Sequence, residues 1–541
     1  MTRLRALLER DRLVVLGLLA IAAAARLPGL ASRGRWEGDQ GDHVMTMWRW
    51  TQDGIFPLLG SPGANNAIHH GAGWYFYLLG PVAFVSGTDP GALVWVMAAF
   101  GIATVAVAWW LAAEIGGRLA GMIAGLFMAV SPAGIEASTF LWNANLLPFF
   151  AGLAAASAWH AHRTQGARWW VASLAAVGMA IQMHLLAGLL VPPVLALLAL
   201  DLRRARREGR ADAGDRSRRL LLAGLAGAAL IAALFLPWFV SELQTGFQET
   251  QHLLAYVRGS GEPAAALGPS ARLLLIVLRV IGWPLVGLIT DVPIAATVVT
   301  ALVIGLSVWR AVRARGDEAI AMRWLVGTVA WSCVALTFAA PTLGSVVPGL
   351  PNDHYHAFLD PIVIVLLGVG AGSLARPRGT AFADRTARGL LAVGLVALFA
   401  VAVSRWPAAV DPNGGWPAAG TAGIRIADAT GQTPTAFLQL PRFETPDGVV
   451  FPFVYAGGNL AGDPGSAGFI VVPCDRLFDS VLEAPCGGAA EDRLVRDLAA
   501  GLVEPFLKAG GPPYPPLGKV PQLVERFDLS PRTSISIYRP G

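Results

Sequence analysis

The chain has 541 residues, of which 55% are hydrophobic and only 14% charged, with a mean hydropathy of +0.54. That balance excludes a soluble multidomain protein and predicts a polytopic α-helical membrane protein. The formal net charge of +5 is no sign of a nucleic-acid partner, because the arginines gather in short segments between apolar runs, where they set topology.

Arg3, Arg5, Arg10 and Arg12 precede the first apolar run, Leu13 to Leu30. It is long enough to span, and nothing after Ala31 resembles a signal-peptidase site, so it reads as an uncleaved anchor. A polar loop, 31–91, follows and holds RWEGDQGDHV at 35–44, then Asn65, Asn66, His69 and His70. Its run GAGWYFYLLGPVAFVSG (71–87) is barely long enough to cross, is broken by Gly80 and Pro81, and carries aromatics suited to a membrane interface. Crossings are predicted near 92–113, 118–134, 144–162, 168–184, 185–201, 219–240, 292–310, 324–342, 358–375 and 388–405.

Segment 202–219 carries eight arginines, and 310–323 and 375–388 carry four each, which places all three segments and the N-terminus in the cytoplasm. A further run, ARLLLIVLRVIGWPLVGLIT (271–290), contains Arg272, Arg279 and a Gly-Trp-Pro break. If it and 71–87 both crossed, the eight-arginine segment would face outward, so both are assigned to the outer interface. About eleven transmembrane helices result, in a plasma-membrane protein whose residues 1–406 form a transmembrane domain with external loops 31–91 and 241–291.

Residues 407–541 are then external. The strand-like runs GFIVVPC and SISIYRP and the helical run AEDRLVRDLAAGLV predict a small α/β domain. Cys474 and Cys486 lie in it, and an oxidising compartment favours a disulfide between them. Cys333, in the middle of a helix, reads as inert packing.

The polar side chains converge on one membrane face. Glu136, Asn143, Asn145, Gln182, His184, Asn352, Asp353, His354, Tyr355 and His356 all fall at the external ends of predicted helices. A carrier would place ionisable groups near the midplane, often in two related halves, and neither feature is present. An enzyme acting on a lipid-linked substrate needs an interfacial carboxylate as base, donors for a lipid phosphate and an apolar groove for the lipid tail.

The ordered set of features resembles the GT-C fold glycosyltransferases, in the branch of the protein O-mannosyltransferases, aminoarabinose transferases and RgtA-like enzymes. The resemblance rests on the acidic motif early in the first loop, on HHGAGWYFYLLGPV (69–82), on SPAGIEASTFLWNANLLPFF (131–150) and on NDHYHAFLDPIVIVLLGVGAG (352–372). It implies transfer of a monosaccharide from a polyprenyl-phosphate donor to a cell-envelope glycan, lipid or protein acceptor on the external face, with inversion at the anomeric carbon. The family's Asp-Glu pair corresponds to Asp39-Gln40, so Asp39 is the expected base, followed by Asp42, one helical turn on, and Glu37. A bland reading stands beside it, in which these carboxylates only cap the helix through VMTMWRWTQ.

The family's arginine after the Ser-Pro helix is missing, and His354-Tyr355-His356 stands in place of Arg-Tyr. Phosphate contacts are therefore expected from His69, His70, His354, Tyr355, His356, Arg272 or Arg279, although the arginines could equally snorkel to the interface. Asn143 is a further substrate-binding candidate, with helix capping as its simpler role; for Gln182 and His184, hydrogen bonding within a turn is expected. The four loop histidines with Asp39 or Asp42 have donors enough for a divalent ion but no metal-ligand spacing, so no metal or cofactor is assigned. Two readings of other classes remain, a flippase or transporter for a lipid-linked substrate and a non-catalytic scaffold with an external binding domain.

Overall fold

The computed structural model describes residues 2–63, 68–207, 213–255, 258, 267–345, 353–376, 381–505 and 512–541. Asn65, Asn66 and Asn352 lie outside these residues.

Among the described residues, eight helices are long and apolar enough to cross a membrane: Pro90–Gly116, Leu185–Arg207, Gly214–Leu234, Pro269–Val286, Pro293–Arg313, Gly316–Ala339, Asp353–Leu374 and Arg385–Ser404. Thr2–Arg26, Arg118–Val130, Leu147–Thr164 and Ala167–Met183 pack with them in one bundle. Asp353–Leu374 is enclosed on nearly all sides. A Cβ on Gly368 would meet the Ala120 carbonyl oxygen at 2.7 Å, so glycine lets this helix lie directly on Arg118–Val130. Large apolar side chains, among them Trp109, Trp159 and Trp170, fill the rest of the core.

The two ends of the bundle differ. At one end Asp11 pairs with Arg118, and Arg163 donates to the Glu114 carbonyl and pairs with Asp317. The other end carries the polar loop and the C-terminal domain. The short helix Trp74–Ser86 stays at that second end: Trp74 donates to the Leu234 carbonyl (2.7 Å), and Thr88 after its last turn bonds Thr51 (2.8 Å). Helix Pro269–Val286 is long enough to cross, but its contacts place it otherwise. Arg272 near its start donates to Thr337 (2.7 Å), in the last turn of Gly316–Ala339, and Pro284 near its end accepts from Ser131 (2.6 Å), just past Arg118–Val130. Both ends thus lie toward the site end, and the helix runs over that end instead of threading the bundle.

Two short strands, β1 (Pro62–Gly63) and β2 (Ile68–His69), pair antiparallel within the first loop. The C-terminal domain holds β3 (Thr435–Phe437), β4 (Phe469–Asp475), β5 (Gln522–Asp528) and β6 (Thr533–Arg539), in the order β3-β4-β6-β5 with only β3 and β4 parallel. Alternation along β4 explains its burial: Ile470, Val472 and Cys474 pack against Leu494 and Leu498 of helix Ala489–Ala499, while Phe469 and Val471 pack against Ile426 and Phe453 on the opposite face. Cys474 and Cys486 form a disulfide, Cα atoms 5.7 Å apart, and Cys333 is buried and free.

The domain docks on the first loop through helix Asp447–Tyr455, which packs on helix Gly38–Asp53. Two glycines permit this approach, because a Cβ on Gly38 would meet Thr445 at 2.4 Å and one on Gly41 the Asp447 carbonyl oxygen at 2.0 Å. Trp36 donates to the Gly448 carbonyl (2.8 Å) and its ring lies 4.7 Å from that of Trp416.

Candidate active site

Between the bundle, the first loop and the C-terminal domain lies a cavity of about 960 Å³. Its walls differ in chemistry. One is carboxylate-rich, with Glu37, Asp39, Asp411, Glu444 and Asp475 accompanied by Arg35 and Arg532. A second carries His70, His184, His354, Tyr355, Trp142 and Asn143. Leu185, Leu186, Leu253 and the stretch Phe338 to Pro341 make an apolar side.

Glu37 starts the helix that presents the acids. Its side chain accepts from the Gln40 amide while the Gln40 side chain accepts from the Glu37 amide (3.0 Å), a reciprocal cap. Gln40 also donates to the Leu141 carbonyl (3.1 Å), so the residue that departs from the family's Asp-Glu pair anchors the turn. Asp39 sits in that first turn, an exposed side chain on the cavity wall. The enclosure of the cavity, then the Glu37 carboxylate, pushes its pKa up to about 6 against the pull of Arg35. Asp42 is outside the cavity lining, and burial followed by Asp447 and Asp39 raises it to about 7. Glu444 rises to about 8, chiefly by burial and then by Asp475.

The imidazole wall joins three distant segments. The His70 and His184 rings stack with centroids 4.5 Å apart, His184 and His354 are 5.7 Å apart, and Trp142 lies 4.2 Å from His354. Nδ1 of His184 accepts from the Leu186 amide (3.2 Å), which leaves the proton of the neutral ring on Nε2. Burial, then His69, lowers the His70 pKa to about 4, so His70 meets a ligand at neutral pH as an uncharged imidazole.

The other expected phosphate contacts are placed elsewhere. His69 bonds Glu249 through its amide and Nδ1, both at 3.0 Å. His356 bonds Asp353 (2.9 Å), and Arg279 clasps the same carboxylate through Nε (2.9 Å) and Nη2 (3.0 Å) while donating to the carbonyls of Leu343 and Ser345. Arg272 donates to the carbonyls of Thr337 and Leu267. None of the four lines the cavity. Asn143 does, but its amide donates to the Met183 carbonyl (2.5 Å), and Gln182 accepts from Ala72 (2.6 Å). Among the described residues no group of three or more His, Cys, Asp or Glu side chains is placed to hold a metal ion.

Sequence reasoning missed Arg35, Asp411, Glu444 and Arg532 and gave His184 only a turn role. Arg35 adjoins the acidic motif and was open to detection; the others reach the cavity only through tertiary structure.

A family model described as dolichyl-phosphate-mannose-protein mannosyltransferase matches residues 74–240. No curated protein sequence matches the chain. ArnT from Cupriavidus metallidurans superposes in its apo state with a TM-score of 0.55 at 15% identity, covering 98% of both chains. The same enzyme bound to undecaprenyl phosphate gives 0.55 at 14% identity, again covering 98% of both. The Archaeoglobus fulgidus oligosaccharyltransferase in its apo form gives 0.50 at 12% identity over 84% of this chain and 65% of that one, so this chain spans less than two thirds of that protein's length. The chain therefore has the fold of the GT-C membrane glycosyltransferases, with a small C-terminal sheet domain.

Proposed function

We propose that the chain transfers a monosaccharide from a polyprenyl-phosphate donor to an acceptor hydroxyl, with the cavity end of the bundle facing out of the plasma membrane and the N-terminus in the cytoplasm. The observation that carries this reading is the cavity itself, which brings together an Asp39 carboxylate with no ion pair among the described residues, a group of imidazoles and an apolar side. Two proteins of the same fold hold lipid phosphates of this kind, undecaprenyl phosphate in one and dolichol-phosphate in the other. The acceptor class is a cell-envelope glycan, lipid or protein.

In this reading the lipid chain leaves the bilayer along Leu185, Leu186, Leu253 and Phe338, and its phosphate meets His70 and His354. Asp39 takes the proton of the acceptor hydroxyl as the acceptor oxygen bonds to the anomeric carbon. The bond from that carbon to the phosphate oxygen breaks with its electron pair on the phosphate, and configuration inverts. Asp39 is preferred as base over Glu37, whose carboxylate already serves the helix cap and Arg532, and over Asp42, which does not line the cavity.

The test is consumption of a panel of polyprenyl-phosphate sugars, sugar-labelled, by purified protein in nanodiscs. Wild type is expected to release label from one donor and Asp39→Asn from none. Lipid movement in vesicles without consumption of any donor would replace this reading with that of a transporter. Orientation is checked by reporter fusions: a fusion at residue 215 is expected to report cytoplasm, and an external signal there would overturn the topology.

A further inference from the structure

We propose that Arg532, contributed by the C-terminal domain, is a positioning residue of the active site that holds Glu37 and, through it, the first turn of the helix carrying Asp39. The proposal rests on the glycosyltransferase reading above.

Arg532 lies in the turn between β5 and β6, where the Ser530 hydroxyl accepts from the amides of Arg532 (3.1 Å) and Thr533 (2.9 Å). Asp475, at the end of the neighbouring strand β4, takes up two of the three guanidinium nitrogens: Nε at 2.9 Å and Nη2 at 2.6 Å. That fork leaves Nη1, which donates to Oε1 of Glu37 at 2.8 Å, across 495 residues of sequence. Only 16% of the Arg532 side chain and 31% of Glu37 are exposed, so solvent screens the pair less than it would at an open surface.

What is held matters more than the pair itself. Glu37 is the N-cap of helix Gly38–Asp53, locked reciprocally to Gln40, and Asp39 is the second residue of that helix. A guanidinium on the cap therefore sets both where the first turn sits and where the Glu37 charge stands beside Asp39. Among the C-terminal-domain groups that line the cavity, Arg532 is the one that bonds the cap of this helix, and it is itself aimed by Asp475. Small displacements of a reacting group cost large factors in rate, which makes such a brace a determinant of turnover and not only of stability.

The groups facing Arg532 are Glu37 from the first loop, Asp475 from β4, and Glu444 and Asp411 from loops of the C-terminal domain, and those facing Asp39 are Glu37 and Arg35 from the first loop and Asp447 from helix Asp447–Tyr455. Removing the Arg532 charge leaves the Glu37 carboxylate, the first charged influence raising Asp39, without the counter-charge bonded to it, so proton loss from Asp39 moves to higher pH. A role confined to stability would not move that limb.

The experiment measures donor consumption against donor concentration and pH for the full chain in nanodiscs, comparing wild type with Arg532→Gln and Arg532→Lys. Expected for Arg532→Gln are a fall in kcat of about tenfold or more, a donor KM within about twofold of wild type, and an acid limb displaced to higher pH. Arg532→Lys, which restores one charge without the fork, is expected to recover part of kcat and return the limb toward wild type, and it carries the test if the glutamine variant fails to fold. Unchanged kcat and pH profile in folded Arg532→Gln, or a rise in donor KM alone, would overturn the proposal while leaving the glycosyltransferase reading intact. A wild type that consumes no donor would instead sink that reading.

Discussion

At the end of the bundle away from the cavity, carboxylates are matched. Asp11 is held by Arg10 (2.7 Å) and Arg118 (3.1 Å), Glu114 by His160 (2.6 Å), Asp201 by His162 (2.6 Å), and Glu318 by Arg310 and Arg376. At the cavity end, Asp39 and Asp42 make no ion pair among the described residues, and Asp447 adds to their burden. A matched acid has its proton affinity and position committed to structure. An unmatched one, held in partial enclosure, keeps a proton affinity near neutral pH and a face open to a ligand. The difference teaches that the polar residues to read for chemistry are those the fold declines to pair.

Two substitutions break the contrast most sharply. Asp39→Asn is expected to lower turnover by about 10²–10⁴-fold, the usual contribution of a general base, with no loss of thermal stability, since it removes like-charge repulsion. Near-normal turnover would transfer the base role to another acid. Glu114→Ala should do the reverse. It strips the hydrogen-bond partner from fully buried His160, and leaving such a group unsatisfied costs about 1–3 kcal/mol, read as a lowered melting temperature with kcat/KM unchanged per folded molecule. Equal losses of activity from both variants would erase the division of labour between the two ends.

How much of this the amino-acid sequence discloses depends on the range of the signal. Apolar runs announce the helices because each is a local pattern, and the short length of 71–87 marked a segment that stays at one end, although its helix Trp74–Ser86 runs unbroken through Gly80 and Pro81. Strands β4 and β6 were legible in GFIVVPC and SISIYRP. Strand β5 was not, because QLVERFD leaves all but one of its residues at least partly exposed and mixes charge into its alternation. Asp39 stood out through its neighbours in the acidic motif. The expected phosphate ligands divide: His70 and His354 line the cavity, whereas Arg279 and His356 are spent on Asp353. No sequence window holds both Arg279 and Asp353, so their pairing was invisible until the helices packed. Arg532 was illegible for the same reason, its target being 495 residues away.

The finest test of the contrast concerns the charge beside Asp39. After enclosure, the Glu37 carboxylate is the largest influence raising Asp39 to about 6. A carboxylate acts as a base only when ionised, so with Asp39 in the proposed role turnover should rise with pH through about 6, reach a plateau above it, and fall about tenfold per unit below it. Glu37→Gln keeps an acceptor for the Gln40 amide and for Arg532 but removes the negative charge. Without that repulsion Asp39 releases its proton more easily, and the acid limb should move to lower pH, opposite to the displacement expected for Arg532→Gln. The reading is the ratio of turnover at pH 5 to that at pH 8, which should rise in the variant while the plateau changes little. Collapse of turnover at every pH would make Glu37 the base. An unmoved limb would show that enclosure alone holds the Asp39 proton, and the two ends of the bundle would then differ in hydration more than in the pairing of their charges.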